Sequence, residues 1–465
     1  MEGNQRGGDT TAQLGTAPIG GLLLKLALPT VVAQLVNLLY NIVDRIYIGH
    51  MPDVGTVALT GVGLCFPVTY LISAFTYLVA QGGAPRAAIA MGQGNDKTAE
   101  EIMGNCFTCL IAVSLVLTAA FWLWGEPLLW LFGCSEETIV YALPYMRIYA
   151  GGSIFVMMAL GMNLFITTQG FTRFSMLTVV AGAVCNIVLD PIFIYALDMG
   201  VEGAALATVI SQALSGVLIV LFLVGKRTKL RLRVRYFRPK LKVMAPVAAL
   251  GLAPFIMQVT EALLNISFTN SLQRYGGDIA VGAMTVASTI MQMVWIPNQG
   301  IGQGAQPIIS YNYGAGNVQR VKEAFRWLVT VSLTFTMVMW ALIQLFPTFF
   351  IRIFNDNEEL LNTAVWTLRL YTASMGLFGI QMAVQQTFTA IGRAKASLFI
   401  ACLRKVILLI PLIFLLPMFF ENKVFAVFLA EPISDFISVV VSAITFFFVF
   451  GRAMRDLENP ETKTL

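Results

Sequence analysis

A chain of 465 residues that is 57% hydrophobic and only 12% charged lies outside the range of soluble domains, where about a quarter of residues are charged and under half are apolar. Soluble enzymes and nucleic-acid-binding domains are excluded on that ground. The net charge of +5 does not restore nucleic acid as a partner, because the basic residues sort by side of the membrane. With six scattered cysteines and His50 as the single histidine, no spacing suggests a zinc site or a disulfide framework, and no prosthetic cofactor is expected.

Met1 to Thr16 is polar and glycine-rich, without the basic start, short apolar core and small-residue cleavage site of a signal peptide. It reads as part of a disordered tail covering residues 1–23. A spanning helix needs about 20 mainly apolar residues. Twelve segments qualify, at 24–48, 57–80, 102–123, 139–168, 174–195, 202–224, 243–272, 279–300, 325–346, 360–390, 396–418 and 424–450. The chain is therefore expected to be an all-α polytopic membrane protein.

Lysine and arginine in the connections set the orientation. The loops 81–101, 169–175, 225–242, 312–326 and 391–397 carry seventeen, nine of them in 225–242, whereas the alternate loops carry only Arg274, Arg352 and Lys423. The first set is expected to be cytoplasmic, with both termini on that side, including a tail over 451–465. The basic loop 225–242 reads as a topological anchor between two halves.

Those halves repeat. Gln81-Gly82-Gly83-Ala84-Pro85 with Met91-Gly92-Gln93-Gly94-Asn95 recurs as Gln303-Gly304-Ala305-Gln306-Pro307 with Tyr313-Gly314-Ala315-Gly316-Asn317, at a constant offset of 222. The same offset carries Arg147 onto Arg369 and Gly170 onto Gly392. Pro29 and Pro254 match with a small slip. The expected architecture is two pseudo-symmetric six-helix bundles, 24–224 and 243–450, joined by the basic linker 225–242. Six is even, so the bundles insert the same way up and are related by an axis along the membrane normal, as in transporters that rock two bundles about a central site.

Polar residues inside the spans mark the functional region, since a carboxylate at membrane depth is costly unless it faces protein or water. The first span carries Gln34, Asn37, Asn41 and Asp44 at helical spacing, with Tyr40 beside them, and the seventh repeats the pattern with Gln258, Glu261 and Asn265. Two such stripes predict a shared water-filled cavity. In the fifth span Asn186 and Asp190 are one turn apart. Orientation puts Asp44, Asn186, Asp190 and Thr208 of the sixth span at one depth in the outer half of the N-terminal bundle. Two carboxylates, an amide and a hydroxyl are hard oxygen ligands, suited to a small cation or a shared proton. In the second half Ile410 stands where Asp190 would be, and the acids are Glu261, Glu431 and Asp435, which are secondary protonation candidates. Arg404 and Lys405 either pair with them or snorkel to the inner surface.

These features resemble the multidrug and toxic compound extrusion (MATE) family over nearly the whole chain, in particular its DinF-like and MepA-like prokaryotic branch. The resemblance implies a coupling site for Na+ or H+ at Asp44, Asn186, Asp190 and Thr208, and a drug cavity that includes Asn37, Tyr40 and Asn163. The NorM-like branch pairs an acid on the seventh span, matched by Glu261, with an aspartate on the tenth. Here the tenth offers Gln381, Gln385 and Gln386 instead.

The function expected is secondary active export of organic compounds, often cationic and amphipathic, against Na+ or H+ by alternating access. The setting expected is a prokaryotic plasma membrane, with the protein a monomer. The alternative is a flippase for a lipid-linked saccharide, which needs a strongly basic cavity; the stripe residues are acidic and neutral. A membrane-embedded enzyme lacks any H-E-x-x-H, His or Cys cluster, or paired nucleophile and base.

Overall fold

The computed structural model describes residues 10–52, 54–353 and 358–458. Among these there is no strand. The spans are α1 (Ile19–Gly49), α2 (Gly55–Gly92), α3 (Asp96–Leu131), α4 (Glu136–Gly151 and Ser153–Thr168, bent by 56°), α5 (Thr172–Ala196) and α6 (Gly200–Val224). The second half follows with α7 (Leu241–Gly277), α8 (Ile279–Gly314), α9 (Val318–Leu345), α11 (Ala394–Phe419) and α12 (Lys423–Glu458). Between α9 and α11 lies α10, made of Glu358–Tyr371 and Phe378–Ala390 with a short 3-10 turn between them. Only 22–39% of each long apolar window is buried within the protein. Much of the remainder is exposed apolar surface, Leu24, Leu28, Leu115 and Phe447 among it, an arrangement that a hydrocarbon solvent stabilises and water does not. The chain is an all-α membrane protein.

The repeated motif has a local cause. Gly94 and Gly316 sit at φ 74° and 75°, a left-handed conformation that glycine takes without steric cost. Each is followed by an asparagine that starts the next helix. The Asn95 side chain accepts from the Thr98 amide and that of Asn317 from the Arg320 amide, satisfying donors that a helix start leaves open. The 222-residue offset thus repeats a stop-turn-start unit between α2 and α3 and between α8 and α9.

The other glycines of that motif bring the two lobes together. A Cβ on Gly92 would lie 2.0 Å from the Tyr311 carbonyl oxygen, and one on Gly314 would lie 2.0 Å from that of Ile89. The contact is reciprocal, as a pseudo-twofold between α2 and α8 requires. Thr30 of α1 donates to the Gly300 carbonyl at 2.6 Å. These approaches lie toward the end of the molecule where α1 begins and α12 finishes, so the lobes are closed at the terminus-bearing end.

Two expected boundaries change, both at the termini. The segment expected to be disordered up to residue 23 is helical over 10–16 and joins α1 at Ile19. Leu14 is fully buried, Thr11 donates to the Gln169 carbonyl of the N-terminal lobe, and Asn312 and Arg320 of the C-terminal lobe donate to the carbonyl of Leu14. Those donors meet the carbonyls that a helix end leaves open. The linker between the lobes is held to α3, where Lys229, Arg233 and Lys240 pair with Asp96, Glu100 and Glu101. The last helix continues to Glu458, held by Lys322–Glu458 and Arg393–Asp456 ion pairs.

Candidate functional site

In the N-terminal lobe, α1, α5 and α6 converge. Tyr195 near the end of α5 donates to the Tyr47 carbonyl of α1 at 2.6 Å, which ties the two helices together about a turn beyond Asp44 on the one and Asp190 on the other. Both carboxylates are buried, as are Asn186 and Thr208. The Asn186 amide donates to Asp190 Oδ1 at 3.1 Å and to Thr208 Oγ1 at 3.4 Å. Its donors are thus directed to neighbours, leaving its own oxygen free. Asp44 Oδ1, Asn186 Oδ1 and Asp190 Oδ2 are all buried without a hydrogen-bond partner. Buried polar atoms are almost always paired, and ionised carboxylates only accept. A group of donor-less oxygens is completed by a bound cation or by protons. Among the described residues no three of His, Cys, Asp and Glu gather in a metal-holding group; the oxygens here come from two acids, an amide and a hydroxyl.

A turn or two toward the terminus-bearing end, the same face of α1 opens onto a cavity. Gln34, Asn37 and Tyr40 line it together with Asn163 of α4, Gln212 of α6 and Gln303 of α8. None of its lining residues is charged. Gln34 donates to Gln303 at 3.0 Å across the lobes, and Gln212 donates to the Tyr40 hydroxyl at 3.2 Å. The Asn163 side-chain oxygen Oδ1 is buried without a partner, just after a π-helical stretch, Met158–Met162, of the kind that often marks a functional site. Asn41 does not line this cavity: it is exposed and donates to the Asn37 carbonyl. Gln212 and Gln303 escaped the sequence reading. Each had a signal, Gln212 one turn beyond Thr208 and Gln303 inside the repeated motif.

The C-terminal lobe is built differently. Gln258 and Glu261 do not line the N-lobe cavity. Glu261 is instead paired with Lys405, and Arg404 bridges Asp435 at 2.6 Å and Glu431 at 2.8 Å. The two basic residues of α11 therefore pair with the acids and do not snorkel. Their neighbouring positions, about 100° apart on a regular α-helix, reach α12 and α7 respectively from a π-helical stretch, Leu403–Leu409. At an offset of 223, Thr208, Ser211 and Gln212 of α6 fall on Glu431, Ser434 and Asp435 of α12. The oxygen site of one lobe has become an ion-paired core in the other.

Two parallel six-helix lobes with polar sites inside them, closed against each other at one end, define a two-lobed membrane protein of the transporter type. The MatE family profile matches residues 29–192 and again 254–415, one match per lobe, and the chain belongs to that family. It is 21% identical to the multidrug export protein MepA of Staphylococcus haemolyticus, over 90% of this chain and 92% of that protein. It is 27% identical to the FAD transporter of Shewanella oneidensis, over 85% and 88% of the respective chains. Crystal structures share the fold: MATE in its bent conformation superposes with a TM-score of 0.89 at 22% identity, covering 98% of this chain and 99% of that one. A transporter of the MOP superfamily from Pyrococcus furiosus gives 0.87 at 23%, covering 96% and 98%.

Proposed function

We propose that this chain is a secondary active exporter that antiports organic compounds, often cationic and amphipathic, against Na+ or H+. The observation that carries the reading is the set of three buried, donor-less oxygens on Asp44, Asn186 and Asp190, one helical stripe away from a neutral polar cavity. A cation or proton entering this set draws α1, α5 and α6 together. Asp44, Tyr40 and Asn37 share α1, so a change in that helix on cation binding alters the cavity wall. The driving cation shifts the conformers only by its difference in affinity for them. With the basic loops on the cytoplasmic side, the closed end faces inward and the structure is an outward-facing state in a prokaryotic plasma membrane, with both termini inside. The names of the relatives, multidrug export protein MepA among them, support export of varied small molecules.

The test is dye efflux from proteoliposomes under separately imposed Na+ and H+ gradients. One gradient should drive efflux in the parent protein, and neither should do so in Asp44→Asn or Asp190→Asn, each of which still inserts. Full transport by both variants removes the N-lobe mechanism. Failure with every cationic dye favours a flippase for a lipid-linked saccharide.

A further inference from the structure

Buried polar atoms without partners also gather in the C-terminal lobe. Glu431 Oε2, Asp435 Oδ2, Ser438 Oγ and Ser442 Oγ follow one another along one face of α12. Ser332 Oγ of α9, Gln381 Oε1 and Gln385 Oε1 of α10, and both side-chain polar atoms of Asn298 of α8 are in the same state. A hydroxyl in an apolar helix can return its proton to a carbonyl three or four residues back, as Thr336 and Thr367 do here; these three serines do not. Helix contacts set the groups side by side. Ser374 donates to the Pro432 carbonyl and Phe388 packs on Phe446, a constant offset of 58 that levels Gln381 with Ser438 and Gln385 with Ser442 to within a residue. A Cβ on Gly302 would meet Gln386 Cγ at 2.6 Å, so Asn298, one turn earlier on that face, stands against Met382. One on Gly379 would meet the backbone of Ser332 and Leu333 at 2.7 Å. Asn298, Ser332, Gln381 and Ser438 thus share a level on four helices. Their chemistry differs from that of the N-lobe oxygens, because Asn298 Nδ2 is a buried donor without an acceptor. A cation cannot satisfy an N–H; water donates and accepts, and serves every member of the set. A cavity of about 20 Å³ between Gln381, Met382, Gln385 and Arg404 has room for one.

We propose that the C-lobe core binds a chain of ordered waters along α12, and that this chain carries protons between the Glu431–Asp435 pair and the terminus-bearing end. The helix rises ~4.5 Å from Asp435 to Ser438 and ~6 Å from Ser438 to Ser442, steps that one bridging water each can cover. At the inner end Gln385 donates to Ser397 Oγ at 2.8 Å, and Ser397 Oγ lies 3.2 Å from Thr389 Oγ1, which extends the polar line toward the end of α10. At the other end Arg404 is spent on Asp435 Oδ1 and Glu431 Oε1, and Lys405 on Glu261. The groups facing the acid pair are Arg404 and Lys405 of α11, Glu261 of α7 and Tyr371 of α10. Three acids against two bases leave one negative charge in a low-dielectric lobe, where a proton on one acid is favoured. Glu431 Oε2 or Asp435 Oδ2 receives it. The proton comes from bulk water and returns there, and only O–H bonds form and break.

Two measurements on purified full-length protein test this, and neither needs transport. Radiolytic hydroxyl-radical labelling oxidises a buried side chain where a water is bound beside it. Met382, 4% exposed, should be oxidised several times faster than Met103, 0% exposed in an apolar cluster. Asn298→Leu with Gln381→Leu should lower Met382 oxidation severalfold; Ser438→Ala with Ser442→Ala gives the same reading should the first pair not fold. Equal labelling of Met382 and Met103 in the parent protein overturns the water chain. For the protons, infrared difference spectra between about pH 8 and about pH 5 are recorded with Asp44→Asn and Asp190→Asn in place, which removes the N-lobe acids from the signal. The protonated-carboxyl band that grows at low pH should lose intensity in Glu431→Gln or in Asp435→Asn. After a pH jump it should rise several times more slowly when Ser438→Ala and Ser442→Ala are added. A band unchanged in both folded acid variants, or a rise unchanged by the serine pair, overturns the proton path.

Discussion

Arg404 is the residue on which the interior of the C-lobe turns. It is 7% exposed and holds two buried carboxylates. Removing one partner of a buried ion pair costs about 3–5 kcal/mol, because the charges left behind have neither water nor a counterion. Arg404→Met should therefore lower the unfolding free energy in detergent by about that amount. The triple variant that also carries Glu431→Gln and Asp435→Asn should recover most of the loss, as read from thermal or denaturant unfolding. A single variant as stable as the parent would show that the bridge is not formed in solution. Thr208 makes a finer test in the other lobe. Its hydroxyl accepts from Asn186 and is the one neutral oxygen of the set supplied by α6. Thr208→Val should weaken coupling-ion affinity about tenfold while leaving some transport, in contrast to the aspartate variants; the apparent ion affinity in efflux assays reads the difference.

At the scale of an element, the amino-terminal helix 10–16 contradicts its composition. Its hydrogen bonds run to both lobes, to Gln169 on one side and to Asn312 and Arg320 on the other, and Arg320 also holds the Ala17 carbonyl at 2.7 Å. A segment tied to both lobes at their closed end resists their separation there. Arg320→Ala should raise amide exchange over residues 10–18 by about tenfold, since local opening free energy falls with each bond lost. Unchanged protection would mean that burial of Leu14 alone fixes the segment. Sequence reading missed this helix because what covers it is distant in the chain: glycines and threonines suggest a tail, while Gln169 and Gly170 on one side and Tyr311, Asn312 and Arg320 on the other supply its contacts.

For the whole molecule, the closed end depends on backbones meeting at Gly92 and Gly314. A side chain at either position enters a neighbouring carbonyl at 2.0 Å, which no rotamer relieves. Gly92→Leu with Gly314→Leu should therefore separate the lobes at that end and shift the population toward the opposite conformer. Spin labels at Lys97 and Lys322, one per lobe and both exposed, should move apart by several ångströms. An unchanged distance distribution would place the closure elsewhere.

Much of this architecture was legible in the chain alone. Apolar length gave the spans, the 222-residue repeat gave two lobes, and helical spacing put Asn186 one turn from Asp190, to which it donates, because periodicity and helix rise are local properties. The partners of Arg404 and Lys405 were not legible, since pairing and snorkelling leave the same residues in the same order. Nor was the division of the two polar stripes between an uncharged cavity and an ion-paired core. Which oxygens remain without donors depends on where each donor of Asn186, Arg404 and Lys405 is spent, and that is decided only when helices far apart in sequence are packed side by side.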